Sequence, residues 1–222
     1  DSGSDTDTGA DDDLWPCDGD TSGYEAVVSG GGGAWTAANG GNTVYSGSSL
    51  RAAIQAANDS LTGGRSWMES IYVDGSGDIP AGERVSLGSF TRINVCGTLN
   101  SAGSGSGDNA PLYARGRTDI HIPHVTITGT PPYGMFFREV SNLHIGEVTL
   151  ELDGVGLGIR IDNDPNKGKP RVTNIRIDYA FVQGTGNHGV ETYGVDGLEI
   201  GEVVARGTGY CGLLLNDTAN AE

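Results

Sequence analysis

From about residue 88 onward, hydrophobic positions fall in short alternating runs instead of at helical spacing, and the runs repeat in register. Asp119-Ile120-His121-Ile122 aligns with Asn142-Leu143-His144-Ile145, Asn174-Ile175-Arg176-Ile177 and Gly197-Leu198-Glu199-Ile200, at spacings of 23, 32 and 23 residues. A second run follows each: Val125-Thr126-Ile127, Val148-Thr149-Leu150, Ala180-Phe181-Val182 and Val203-Val204-Ala205. A third completes the unit in Leu112-Tyr113-Ala114, Met135-Phe136-Phe137, Ile159-Arg160-Ile161, Val190-Glu191-Thr192 and Leu213-Leu214-Leu215. The nine extra residues of the long interval sit in the polar segment Asp162 to Pro170, which reads as a loop inserted into one unit.

Three strands in 23 residues cannot bury an apolar face alone, so the units must stack on one another to make a core. That pattern predicts an all-β parallel β-helix, with equivalent residues in columns about 4.8 Å apart. Period-two alternation sends Ile120, Ile122, Val125 and Ile127 inward and His121 and Thr126 outward.

Ahead of the repeats, Ser49 to Asn58 predicts a short capped helix, with Leu50, Ala53, Ile54 and Ala57 on one face. Ser70 to Gly75 predicts a strand ending in a turn. Residues 18 to 47, rich in Gly, Ser, Thr and Asn, read as an extended, irregular segment with Trp35 and Tyr45 as isolated anchors. The resulting division is a leader over 1–17, this glycine-rich segment over 18–47, and the β-helix with its helix over 48–222.

Composition sharpens this picture. Glycine supplies 38 of 222 residues, more than twice ordinary usage at about 7%, which disfavours long helices and suits short strands joined by tight turns. No apolar run approaches the roughly 18 residues of a membrane-spanning helix. A net charge of −16, without a basic stripe, argues against a nucleic-acid partner. Six aspartates and no base fall in residues 1 to 13, which predicts an acidic disordered leader. Such a leader resembles the spacer of bacterial lipoproteins or exported enzymes. With no start methionine, the expectation is a mature secreted or cell-surface chain from which a targeting segment was removed. Cys17, Cys96 and Cys211 suit export if two of them pair, and the sequence does not choose which.

The repeats, together with SLRAAIQAAN and IYVDG, resemble the right-handed parallel β-helix of the pectate lyase-like superfamily over roughly residues 44 to 222. The resemblance implies that the helix covers the N-terminal end of the solenoid and that a polysaccharide lies along one outer face. It does not select an activity, because lyases, hydrolases, esterases, tailspikes and adhesins share that fold.

A filled β-helix leaves no interior cavity, so chemistry must sit on an outer face or in adjoining loops. The third strand presents the richest outward columns: Tyr113 and Arg115, Phe136 and Arg138, Arg160 and Asp162, Glu191 and Tyr193, then Leu214 and Asn216. Aromatic faces suit sugar rings, and arginine forks suit sugar carboxylates. Arg138 with Asp162 and Arg160 with Glu191 also read as cross-strand ion pairs. Arg115 above Arg138 has no such partner, a conflict that an anionic ligand would resolve. In the turn entering this strand, His188 stands beside Glu191 and Tyr193.

β-Elimination from a uronic acid needs a group that neutralises the carboxylate and a base for the C5 proton. Arg138 or Arg160 suits the first task, and His188 or Tyr193 the second. The leading expectation is therefore an exported polysaccharide lyase acting on an anionic, uronate-containing polymer, with catalytic His188, Tyr193 and Arg160. Tyr113, Arg115, Phe136, Arg138, Asp162, Glu191 and Asn216 are its expected substrate-binding residues. The alternatives are a non-catalytic glycan-binding or surface β-helix, and a hydrolase whose carboxylates lie on further coils. The turns here carry Asp153 but no acid at Asn187 or Tyr210, against paired-carboxylate hydrolysis within this segment.

No cofactor is firmly expected. The resemblance makes calcium compatible, although Asp162 and Glu191 occupy different columns. His121 and His144 stack with Arg176 and Glu199 and read as solvent-facing residues, not as a metal site. Asn220-Ala221 falls at the register of Gly197-Leu198. The expected architecture is thus a solenoid truncated at its C-terminal end and continued by further coils or a second polypeptide.

Overall fold

The computed structural model describes residues 15–164 and 167–222. The chain opens with β1 (Ala26–Gly31), β2 (Ala34–Asn39) and β3 (Asn42–Gly47), an antiparallel meander. Residues 18 to 47 are therefore more ordered than expected. The alternation that builds the meander is there, with Ala26, Val28, Trp35 and Ala37 all buried, but glycines and small polar residues obscure it. Gly32-Gly33 and Gly40-Gly41 take the positive φ angles that the two tight turns require.

Helix α1 (Leu50–Asp59) follows, and its N-cap is Ser49, whose side chain accepts a hydrogen bond from the Ala52 backbone N–H at 3.1 Å. Its buried face is Leu50, Ala53, Ile54 and Ala57, as the spacing predicts. It packs against β1 to β3 and, beyond them, against β4 (Glu69–Asp74), β5 (Gly77–Pro80) and β6 (Val85–Ser86).

β1 pairs in parallel with β4, and β4 with β7 (Thr91–Val95), so the meander feeds directly into a parallel stack. β8 (Thr98–Ala102) pairs with β5 and with β9 (Leu112–Gly129). The long strands β9 and β10 (Tyr133–Leu152) each carry all three runs of one repeat. Afterwards the third run stands alone in β11 (Leu157–Asp162), β13 (Val190–Tyr193) and β15 (Leu213–Asn216). The first and second runs share β12 (Val172–Gln183) and β14 (Val195–Arg206), and β16 (Ala219–Ala221) pairs with β14.

The observed registers follow the sequence alignment. Ile120, Leu143, Ile175 and Leu198 pair in succession, as do Val125, Val148, Ala180 and Val203. Leu112, Met135, Ile159, Val190 and Leu213 form the third row. The buried members of these rows join one continuous core from Ala26 to Leu198, with Val203 partly buried against it and Leu213 40% exposed. Each strand bends where the first run begins: Phe90, Asp119, Asn142, Asn174, Gly197 and Asn220 occupy one column and all have positive φ.

Of the expected leader, residues 1–14 lie outside the described residues. Residues 15–17 are tied down: the Trp15 carbonyl accepts from Asn94 Nδ2 at 2.8 Å, Arg92 stacks on the Trp15 ring, and Cys17 is disulfide-bonded to Cys96. Cys211 is free and exposed. No helix of the described residues is long and apolar enough to cross a membrane.

Candidate functional site

Parallel pairing of β9, β10, β11, β13 and β15 places the expected site residues, except His188 in the turn before β13, in two adjacent outward columns. Tyr113, Phe136, Arg160, Glu191 and Leu214 form one, and Arg115, Arg138, Asp162, Tyr193 and Asn216 the other. Outward does not mean exposed here. Phe136 is 0% and Tyr113 5% exposed, because Ala110 and Tyr133 pack over them as a second small apolar cluster. Arg84 covers the Tyr113 ring, and Arg138 covers Phe136. Neither ring can present a face to a sugar, contrary to expectation.

The charged residues form a closed network. Arg138 donates from Nε and Nη2 to the two carboxylate oxygens of Asp162 at 2.7 and 3.0 Å, and from Nη1 to Asp108 at 3.0 Å. Arg160 donates to Asp162 at 2.9 Å and to Glu191 at 2.5 Å. Burial alone would push the Asp162 carboxyl up, but hydrogen bonds from Arg138, the Asp164 backbone N–H and Arg160 hold it below the ordinary carboxylate range. The Arg160 guanidinium is disfavoured by burial yet pushed up overall by Asp162 and Glu191. Burial pushes the Tyr133 phenol up.

Arg115 is also satisfied, so the supposed conflict with Arg138 disappears. It pairs with Asp164 at 2.8 Å and with Glu139 at 3.4 Å. Asp164 comes from the inserted loop and pairs with Lys167, while Lys169 pairs with Glu139. The protein itself supplies the anion for which a ligand had been invoked.

One face of this network opens into a groove of about 710 Å³, lined by Asp108, Tyr133, Arg160, Asn187, His188 and Glu191 among others. Three of the expected residues thus meet: His188, Arg160 and Glu191. Tyr193 does not line this groove and lies under the Arg160 guanidinium, 4.7 Å from its ring centroid. Asn216 lies on its neighbour's column and accepts the Gly194 N–H through its backbone carbonyl.

His188 has a defined donor pattern. Its Nδ1 accepts the Cys211 backbone N–H at 3.2 Å, so in the neutral ring the proton sits on Nε2. Asp108 and Tyr133 are groove-lining residues that the sequence reading missed. Asp108 lies in a Gly/Ser-rich segment with no repeat register to place it. Tyr133 had a signal, because it pairs with Leu157 one strand further on.

His121 and His144 stack 4.4 Å apart with rings nearly parallel. His121 is only 4% exposed, since Arg92 donates to its Nδ1 at 3.0 Å and His144 covers its other side. Contrary to expectation, it is not solvent-facing. His144 Nε2 lies 2.6 Å from Asp178. Asp178, with His124, Glu147, Tyr179 and the Cys17–Cys96 disulfide, borders a second groove of about 930 Å³ on another face. No group of three or more His, Cys, Asp or Glu among the described residues could hold a metal ion.

Compared with family models, with curated proteins and with solved structures, the chain matches none.

Proposed function

We propose that the parallel stack winds as a right-handed β-helix and that the protein is an exported bacterial glycan-binding protein. The hand follows from the strong preference of parallel crossover connections for the right-handed sense. Export is supported by the Cys17–Cys96 disulfide, which belongs in an oxidising compartment. The sequence resemblance to the pectate lyase-like superfamily supports a saccharide as the ligand. The observation that carries the reading is the groove itself, where Arg160, Glu191, Asp108, Tyr133 and His188 converge as mixed hydrogen-bonding groups on a rigid strand scaffold.

Binding is favoured over β-elimination by two features of that groove. Arg138 and Arg160 already have carboxylate partners, and the neutral His188 ring presents a donor at Nε2 in place of a base. The lyase remains the second reading because His188 and Arg160 face the same groove, the juxtaposition that elimination needs.

Affinity electrophoresis and calorimetry against a panel of neutral and uronate-containing polysaccharides test the reading. Retention by at least one polymer, without an unsaturated-uronate chromophore, is the expected result. A rise in ultraviolet absorbance would establish the lyase instead, and the absence of any binding would overturn both.

A further inference from the structure

We propose that the groove takes an uncharged sugar ring, stacked on Tyr210, and discriminates against a uronate. The proposal rests on the glycan-binding reading and adds the class of sugar and a residue that selects it.

Tyr210 is 74% exposed, the highest exposure of any large hydrophobic residue described. Its phenol makes no hydrogen bond among the described residues, yet its backbone is firmly held. The Tyr210 N–H donates to the Asn187 carbonyl at 3.2 Å, and its carbonyl accepts from Thr208 Oγ1 at 3.3 Å. Asn187 lines the groove, so Tyr210 stands in the next turn, just beyond the groove wall. Its ring centroid is 5.7 Å from that of His188, tilted by 47°. A solvent-exposed aromatic ring on an anchored backbone, beside hydrogen-bonding side chains, provides what a sugar needs: an apolar face for its C–H groups and polar partners for its hydroxyls. The aromatic platform expected at Tyr113 and Phe136 is buried; the exposed one lies at Tyr210.

The electrostatics select the class. Asp108, Arg160 and Glu191 border the groove, two carboxylates against one guanidinium, and behind them Arg138 and Asp162 cancel. Arg160 donates from Nε to Asp162 and from Nη1 to Glu191, and Arg138 donates from all three of its nitrogens to Asp162 and Asp108. A uronate entering here meets no guanidinium whose charge is not already paired with carboxylates, and two carboxylates of its own sign. A neutral ring can donate hydroxyls to Asp108 and Glu191 and accept from His188 Nε2. The net charge of −16 adds a long-range bias in the same direction, screened beyond about 8 Å at physiological salt.

The test uses pairs made by oxidising one neutral polymer at C6, which keeps linkage and anomer, such as β-1,4-glucan with β-1,4-glucuronan, measured by calorimetry at low and high salt. Unmodified protein should bind one neutral member at least tenfold more tightly than its uronate counterpart. Tyr210→Ala should weaken that binding at least tenfold while Tyr210→Phe retains it, and because the side chain is exposed both variants should fold. Glu191→Gln keeps the shape, removes one of the groove's two carboxylates and leaves Arg160 with Asp162 as its single charged partner, and should narrow the preference towards the uronate. Tighter binding of the uronate by the unmodified protein, or equal binding by Tyr210→Ala, would overturn the proposal. Failure to bind any polymer would instead overturn the glycan reading beneath it.

Discussion

Arg138 and Asp162 face each other across adjacent parallel strands in a bidentate pair, at 2.7 and 3.0 Å, with the Asp162 side chain wholly buried. Two parallel N–H···O bonds fix both planes and make this pair stronger than an ordinary surface ion pair. Arg160 donates to the same carboxylate from the same strand as Asp162, so one aspartate organises two guanidinium groups. The column that borders the groove is thereby part of the scaffold.

Arg138→Ala should destabilise the protein. It removes three charge-assisted hydrogen bonds and leaves Asp162 with Arg160 and the Asp164 N–H as its remaining donors. The expected loss is about 3 kcal/mol, the low end for breaking a buried pair, because Arg160 continues to compensate the charge. Urea unfolding would measure it, with a lowered midpoint at an unchanged slope. A loss within about 0.5 kcal/mol, the scale of ordinary surface changes, would place the pair among inconsequential contacts.

Acid should act on the same carboxylate. The folded protein holds the Asp162 carboxyl below its ordinary value, as it does that of Glu69, whose burial is outweighed by hydrogen bonds from Thr62. A depressed carboxyl contributes its stabilisation fully above the unfolded value of about 4 and loses it as pH falls through the lower folded value. Stability should therefore be insensitive to these two groups between about pH 5 and 7, and should decline below about pH 4. Asp162→Asn should be less stable at neutral pH but show a shallower decline in acid. An equally steep decline in that variant would assign the acid sensitivity elsewhere.

Much of this scaffold was legible in the sequence because its information is periodic. Ile120, Leu143, Ile175 and Leu198 repeat a spacing that only a stack satisfies, and the exception located the inserted loop. What stayed hidden depends on contacts without a period. Asp164 reaches Arg115 from that loop, 49 residues away in sequence, and Asp108 reaches Arg138 from a glycine-rich turn. Alternation correctly sent Phe136 outward, but alternation says nothing about what lies above it, and Tyr133 and Arg138 bury it. The N-terminal meander was obscured by the small residues that make its turns feasible.

The disulfide gives a prediction with an integer readout. The chain has three cysteines, of which Cys17 and Cys96 pair and Cys211 is exposed. Native unreduced protein should titrate with one accessible thiol, and reduced, denatured protein with three. The bridge spans 79 residues of sequence, so chain entropy predicts a loss of about 4 kcal/mol on replacing both partners with serine. Trp15 should become more solvent-accessible in that variant, because its anchorage to Arg92 and Asn94 lies beside the bridge. Three reactive thiols in the native protein would contradict the pairing.

The bend that opens each first run offers the sharpest test of the stack. Asn142 has a φ of 53°, a left-handed conformation that asparagine tolerates better than most side chains. Its amide also links its neighbours along the column: Nδ2 donates to Asp119 at 3.2 Å, and Oδ1 accepts from Asn174 at 3.1 Å. Two separable effects follow. Asn142→Gly removes the ladder and keeps the backbone comfortable, whereas Asn142→Ala removes the ladder and adds left-handed strain of about 1 kcal/mol. Alanine should therefore be the worse replacement, reversing the usual order in which glycine destabilises a regular element more than alanine. Thermal unfolding of the two variants side by side checks the order. If Asn142→Gly unfolds at the lower temperature, the bend does not depend on the left-handed residue and the column is held by strand pairing alone.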